Sequence, residues 1–187
     1  LIAVLVALVF GMLNVIGAGK ASMLQNMFVI LVLGLLAWFT IDGSLDIKPA
    51  RFSDFFGQGE TTMLSMIGVV VVSYMGLTKV ASIAEEVKNP DRNLPLGVLL
   101  ALGMTMLLYV LGLAVMIGTV PADQLAATKT PAADAAMFFA GRTGQIAISI
   151  AAIAAFLSVA NAGIMSASRY PFAMGRDHTF PAFFRKV

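Results

Sequence analysis

The positions of the charged residues constrain the fold of this chain more than any other feature of its sequence. Only 12% of the 187 residues are charged, whereas about a quarter are charged in typical soluble domains. The charges are also clustered, and they leave five long uncharged stretches: 1–19, 21–41, 61–78, 93–122 and 143–168. Because about 20 mostly apolar residues let a helix cross the core of a bilayer, this spacing predicts an all-α integral membrane protein.

The five stretches predict five transmembrane helices in a single domain that covers residues 1–187. Turn-forming residues and prolines set the helix ends: residues 17–20 separate the first two helices, and Pro90 ends the third. Asn93 is predicted to cap the fourth helix, and a short surface helix is expected over residues 132–140. The predicted transmembrane helices span residues 1–16, 23–41, 61–87, 94–120 and 143–174.

Basic residues in the loops predict the orientation of the chain. Seven Lys and Arg residues fall on the side that holds Lys20, Lys88 and the C-terminal loop, and four fall on the side of loops 42–60 and 121–142. Because cytoplasmic loops carry an excess of Lys and Arg, the first side is predicted to be cytoplasmic and the second external.

The polar residues exclude several classes of function. The basic residues are scattered and form no patch for nucleic acid, so no nucleic-acid partner is expected. The chain has no cysteine and a single histidine, His178 in a loop, and it has no hydrolase or metalloprotease motif. We therefore predict that the protein is not an enzyme, and we expect neither a metal nor a cofactor.

The third helix carries the most informative polar residues. Residues 73–79 place a glycine, two hydroxyl residues, a tyrosine and a lysine near bilayer depth. Glycine weakens a helix, and a lysine at depth is costly unless it faces protein or water, so this segment suggests a discontinuous helix. Free main-chain groups at such a break bind substrates in secondary transporters. The alternative is a straight helix in which Gly76 lies at a close helix contact and Lys79 snorkels to the interface.

Residues 73–95 resemble the signature of the amino acid–polyamine–organocation (APC) permeases. In that family a Gly-Phe-Asp/Glu element precedes Glu-Glu-x-x-Asn-Pro-x-Arg-x-x-Pro at a fixed spacing. The matching positions here are Gly76, Glu85, Glu86, Asn89, Pro90, Arg92 and Pro95. Two further segments resemble the family's fourth-to-fifth helix junction and the end of its eighth helix: Asn14 to Gln25, and Ser168 to Pro181.

The resemblance implies a partial five-plus-five inverted-repeat bundle, in which this chain holds about helices four to eight and its discontinuous third helix is the family's sixth. The family's site then implies substrate contacts at the break. The implied substrate-binding residues are Val72, Ser73, Tyr74, Met75, Gly76, Leu77 and Thr78.

Two departures from the family pattern bear on the substrate and on ion coupling. Leu77 and Thr78 stand where many relatives have Phe-Asp or Phe-Glu, and Lys79 follows, which favours a neutral amino acid. The second helix has no ionisable residue over residues 27–40, where some relatives carry a coupling lysine.

Polar residues on two other helices are further candidates. Ser158 and Asn161 lie three residues apart, on one helix face and opposite Ser149; they are predicted either to bind substrate or a cation or to hydrogen-bond between helices. Thr105, Tyr109 and Gly112 form a similar stripe, which is interpreted as helix packing.

Three charged residues are candidates for gating or coupling. Glu85 and Glu86 lie near Lys88 and Arg92, where an ion-pair network or an inner gate is favoured over acid–base chemistry. Lys79 is predicted either to take part in transport or to snorkel to the interface.

These observations together favour secondary active transport of amino acids by alternating access, with proton coupling or exchange, in the plasma membrane. The alternative is a non-transporting structural or sensory subunit with a transporter-like bundle. The expected partners are a small-molecule amino acid and the lipid bilayer.

Overall fold

The regular structure of the chain is helical throughout the part described here. The computed structural model describes residues 2–16, 18–53, 60–74, 76, 80 and 87–176. Its elements, in chain order, are α1 (Ile2–Ile16), α2 (Ala18–Ser44), a 3-10 turn (Pro49–Phe52), α3 (Glu60–Ser73), α4 (Pro90–Thr119), α5 (Ala122–Ala127) and α6 (Pro131–Arg176).

Three of the described helices are long and apolar enough to cross a membrane. These spans are Ala21–Ser44 of α2, Pro90–Thr119 of α4 and Pro131–Pro171 of α6. Shorter apolar helices occupy Val4–Asn14 and Leu64–Ser73. The all-helical membrane architecture agrees with the charge spacing, whereas the count of five transmembrane helices stays a prediction.

Several helix ends differ from those expected from the sequence. α2 begins at Ala18, within the segment expected to separate the first two helices. α4 begins at Pro90 and not at residue 94, because Asn89 adopts a left-handed conformation (φ 50°, ψ 63°) and is the N-cap residue. Asparagine tolerates that conformation, and proline favours the first helical position. The prediction of Asn93 as N-cap is therefore wrong, and its side-chain amide instead donates to the carbonyl of Lys88.

A sharp break at Gly141 divides α6 into two stretches. Gly141 has φ 63° and ψ −155°, a combination that is essentially restricted to glycine. The stretch before it, residues 131–140, covers the short surface helix expected from the sequence, and residues 142–176 cover the predicted fifth transmembrane helix. Glycine thus lets one continuous run of residues change direction at the end of the long apolar span.

The tightest packing lies where α2, α4 and α6 meet, near the C-terminal ends of α2 and α4. The Phe139 ring contacts both Trp38 and Phe39, at centroid distances of 5.8 and 5.5 Å. Phe39, Val115 and Val120 are almost fully buried in the same cluster. Burial of aromatic and branched side chains is the main apolar stabilisation available here, so this cluster fixes the three helices relative to one another.

The end of α4 is capped by the segment that follows α2. The Gly118 carbonyl accepts hydrogen bonds from the Lys48 N–H and from Arg51 Nη1, both at 3.0 Å. Helix C-termini leave carbonyls without intrahelical partners and favour nearby cations, so both contacts stabilise this end. A methyl group at Gly118 would lie 2.9 Å from the Ile47 side chain, which explains why glycine is required.

We expect the substitution Gly43→Val to destabilise the protein by about 1–3 kcal/mol through overpacking. A Cβ atom at Gly43 would lie 2.5 Å from Val115 Cγ1 and 2.9 Å from the Phe139 ring. Gly34→Val is the matched control, because it lies in the same helix and an added Cβ there meets nothing within 4 Å. The measurement is the thermal midpoint of the full-length protein in detergent, followed by size-exclusion of a fluorescent fusion. Equal midpoints for the two variants would contradict the close packing at Gly43.

Candidate functional site

The structure describes six of the residues predicted to form or flank a substrate site. Val72, Ser73, Tyr74 and Gly76 lie at the end of α3, and Ser158 and Asn161 lie in α6. The remaining predicted residues lie outside the described part of the chain: Met75, Leu77, Thr78, Lys79, Glu85 and Glu86.

The first group of residues lies where the regular hydrogen bonding of α3 stops. The Tyr74 N–H donates to the Val71 carbonyl at 3.1 Å, three residues back, which tightens the last turn. The Ser73 hydroxyl donates to the Val69 carbonyl at 3.0 Å. Gly76 is exposed in a 3-10 conformation, and a methyl group added there would meet no atom within 4 Å. The described surroundings therefore show no close helix contact at Gly76.

Tyr74 connects the end of α3 to α4 through an aromatic contact. Its ring centroid lies 5.9 Å from that of Tyr109, with an interplanar angle of 61°, an edge arrangement that aromatic rings favour. Val72, just before the break, is 64% exposed. The structure thus brings Tyr74 together with a residue that the sequence assigned only to helix packing.

The second group of residues belongs to a buried cluster of amides between α1, α2 and α6. Asn161 is fully buried, and its Nδ2 donates to the Ala21 carbonyl and to Gln25 Oε1, each at 3.1 Å. Its Oδ1 accepts a hydrogen bond from Asn14 Nδ2 at 3.2 Å. The Asn161 amide is therefore satisfied on both its donor and its acceptor side by protein groups.

Ser158 joins the same cluster one turn earlier in α6. Gln25 Nε2 donates to the Ser158 hydroxyl at 2.6 Å, so Gln25 bridges both predicted residues. Ser149, in contrast, is exposed and donates only to the Gln145 carbonyl within its own helix. The predicted separation of Ser158 and Ser149 onto opposite faces of the helix is thus observed.

This arrangement favours interhelical hydrogen bonding over substrate binding for Ser158 and Asn161. Buried amides that already bond each other offer few free donors or acceptors to a ligand. The sequence reasoning overlooked the roles of Asn14 and Gln25. A usable signal was present for Asn14, which is the only amide in the uncharged stretch 1–19, whereas Gln25 stands next to Asn26.

A shallow cavity of about 420 Å³ lies near the start of α6, away from both groups. It is lined by Val120, Gln124, Thr128, Asp134, Met137 and Phe138. The Asp134 carboxylate accepts hydrogen bonds from the Thr128 hydroxyl, from Thr130 at 3.4 Å and from Gln145 at 3.5 Å. Through these hydrogen bonds, Asp134 holds the loop before α6 in place.

We expect Asn161→Leu to lower the stability of the protein by about 1–3 kcal/mol, because it leaves buried polar groups on α1 and α2 without their partner. Ser149→Leu in the same helix is the control, since the exposed Ser149 bonds only within α6. Thermal midpoints of the two full-length variants in detergent give the comparison. An Asn161→Leu midpoint as high as that of the control would show that the amide cluster does not stabilise the bundle.

The chain is similar in sequence to several known transporters. The chain is 30% identical over 175 residues to the methylthioribose transporter of Bacillus subtilis, covering 91% of this chain and 37% of that protein. It is 29% identical over 173 residues to the branched-chain amino acid permease of the same organism, covering 92% and 37%. It is 34% identical over 145 residues to the chloroplastic cationic amino acid transporter 9 of Arabidopsis thaliana, covering 78% and 25%.

The similarity to these relatives covers 78 to 92% of this chain but only part of each relative. The chain spans between a quarter and two fifths of the length of these relatives. The sequence model of the family described as amino acid permease matches residues 1–187, which confirms the resemblance drawn from residues 73–95. These relatives are transporters rather than enzymes, and the apolar spans fit a multi-pass membrane protein. The chain therefore belongs to the amino acid permease family.

Proposed function

We propose that the protein carries out secondary active transport of amino acids across the plasma membrane by alternating access. Membership of the permease family supports transport of a small molecule, and the relatives' names favour it over a non-transporting structural or sensory subunit. The chain covers only part of the length of its relatives. The proposal therefore includes the identity of the substrate, the ion coupling and the contribution of the rest of the protein.

The observation that carries the proposal is the end of α3 at Ser73. A straight membrane helix would continue beyond this residue, whereas Tyr74 closes a tightened turn and Gly76 adopts a 3-10 conformation. A helix C-terminus leaves its last carbonyls without intrahelical partners, and inside a bilayer these carbonyls need protein, water or ligand. Free carbonyls suit the ammonium of an amino acid, and we propose that N–H groups beyond the break bind its carboxylate.

The proposed site uses residues 72–78 on one side and the family's first helix on the other. Main-chain groups of Ser73 to Gly76 hold the ends common to all amino acids, and side chains of Val72, Tyr74, Leu77 and Thr78 line the remainder. This arrangement rests on the inverted-repeat fold implied by the family, in which the present chain supplies two helices of one repeat and three of the other.

Differences in packing between the helices support the rocking motion that alternating access requires. The amide cluster ties α1 and α2 to α6 through buried hydrogen bonds. The described side chains of α3 from Leu64 to Ser73, in contrast, are all exposed. We infer that α1, α2 and α6 move as one unit, and that α3 and its break shift relative to them.

Three charged residues have proposed roles in gating or coupling. Glu85 and Glu86 are placed near the cytoplasmic mouth beside Lys88 and Arg92, where ion pairs open and close with the inner gate. Lys79 supplies a fixed positive charge or a proton-linked group next to the break. Since residues 27–40 of α2 carry no ionisable side chain, Lys79 is the coupling candidate closest in sequence to the proposed site.

We expect Gly76→Leu in the full-length protein to abolish substrate binding and leave membrane insertion intact, because a bulky side chain would fill the break. Gly68→Leu is the control, since it lies in α3 and an added Cβ there also meets nothing within 4 Å. Binding of a panel of labelled amino acids to the purified variants is the measurement. Binding by Gly76→Leu close to that of Gly68→Leu would contradict a site at the break.

Coupling is tested separately by the gradient that drives uptake. We expect proteoliposomes that contain the full-length protein to accumulate a labelled neutral amino acid when a pH gradient is imposed, or to exchange it for an internal amino acid. A sodium gradient without a pH gradient should have no effect. Uptake that depended on the sodium gradient and not on the pH gradient would overturn the proposed proton coupling or exchange. Absence of both uptake and binding for every amino acid would overturn the proposed transport function itself.

A further inference from the structure

The contact between Tyr74 and Tyr109 extends the proposed site onto α4. Tyr109 belongs to the stripe of Thr105, Tyr109 and Gly112, for which the sequence favours helix packing. Its ring meets Tyr74 edge to face at 5.9 Å and remains 51% exposed, so packing against Tyr74 uses only part of its surface. The remaining surface is available to a third group.

Tyr109 lies well inside a helix that is long enough to cross a membrane, and Tyr74 directly follows the shorter apolar helix α3. Tyr74 follows the 14 residues of α3, about 21 Å from the start of that helix at 1.5 Å per residue. Tyr109 lies ten residues before Thr119, about 15 Å from the end of α4. Against a hydrocarbon core of about 30 Å, both rings fall near its middle.

Tyr109 also lies on the packed face of α4 and not on its most exposed face. The residues that share this face at helical spacing are half-buried: Val98, Leu102, Thr105 and Gly112. Helix α4 packs against α2 and α6. Tyr109 therefore lies at the edge of the packed face, with half of its surface exposed, beside the end of α3.

The two phenol hydroxyls have no hydrogen-bond partner among the residues that the structure describes. A hydroxyl at membrane depth is costly when it is left unpaired, and a buried tyrosine normally finds an acceptor or donor for its polar tip. The polar atoms of a bound ligand are one source of such partners.

Open space adjoins both rings. Methyl groups added at Gly76, two residues after Tyr74, or at Gly112, three residues after Tyr109, would meet no atom within 4 Å. The two rings and the two glycines thus border open space next to the proposed main-chain contacts.

We propose that Tyr109, together with Tyr74 and the space at Gly112, forms the end of the site that receives the substrate's side chain. This inference rests on the proposed transport function and adds to it a specificity-determining residue on α4. The ring faces contact apolar groups of the substrate, and the hydroxyls bond to polar groups when the side chain has them.

The charges around this end of the site argue against a cationic side chain. No acidic residue lies between Thr61 and Ala84, and the only one in α4 is Asp91, in its first turn. A cationic side chain would therefore be desolvated without a counter-charge, at a cost that two phenols do not offset.

Size selectivity gives the first test. Full-length protein in proteoliposomes takes up one labelled neutral amino acid, and unlabelled neutral amino acids of increasing side-chain size compete. We expect Gly112→Val to weaken competition by the largest side chains about tenfold or more relative to alanine, because the added groups occupy their space. Gly103→Val is the matched control, since Gly103 is an exposed glycine on the opposite face of α4 without neighbours within 4 Å.

Two substitutions of Tyr109 separate the ring from its hydroxyl. Tyr109→Phe keeps the ring, so it should weaken competition by hydroxyl- or amide-bearing side chains about fivefold and leave apolar ones unchanged. Tyr109→Leu should change the order in which all the unlabelled neutral amino acids compete for uptake. The readout is the ratio of competition constants, which a purely structural role of Tyr109 would not move.

The outcomes distinguish this inference from the proposed function. The inference is overturned if wild-type protein transports amino acids and Gly112→Val gives the same ranking as Gly103→Val. It is also overturned if Tyr109→Leu slows uptake of every amino acid equally and the ranking stays that of the wild type. Failure of the wild-type protein to bind any amino acid would instead overturn the proposed function, and this inference with it.

Discussion

The structure depends on one requirement of the bilayer, which is that every main-chain N–H and C=O group inside it needs a partner within the protein or its ligand. Helices meet this requirement locally, and for that reason the long uncharged stretches form α2, α4 and α6. Wherever a helix stops, the requirement returns. The Gly118 carbonyl is satisfied by Lys48 and Arg51, which lie in the segment after α2. Helix ends are therefore the positions where this chain must use polar residues.

The same requirement explains the few polar side chains within the helices. Lipid provides no hydrophobic drive between helices, so association relies on packing and on hydrogen bonds such as those of Asn161. Its amide links α6 to Asn14 of α1 and to Gln25 of α2, and aromatic packing around Phe139 fixes the other end of α2 against α6. The amide hydrogen bonds and the aromatic contact are two separate contacts between α2 and α6, and together they define the register of these helices. The proposed movement of α3 requires a fixed unit of this kind.

The sequence predicted more of the architecture than of the contacts. Charge spacing identified the three described helices that are long enough to cross a membrane, and the three-residue interval placed Ser158 and Asn161 on one face, because both features are local. Their partners Gln25 and Asn14 could not be assigned, since they lie more than 130 residues away along the chain. The start of α4 was missed because the left-handed conformation of Asn89 competes with the capping preference of a later residue. The pairing of Tyr74 with Tyr109 depends on helix rotation, which residue types do not specify.

The two interruptions of helical structure differ in how they are compensated, and this difference bears on function. The break at Gly141 lies beside Phe139, whose ring packs on α2. These local contacts stabilise the change of direction. The end of α3 contacts α4 only through the rings of Tyr74 and Tyr109 in the described part of the chain, while Gly76 is exposed and an added methyl group there would meet nothing within 4 Å. A compensated break needs no ligand, whereas an uncompensated one at membrane depth needs a partner. The end of α3, and not the better-packed Gly141, is for this reason the interruption at which we propose the substrate site.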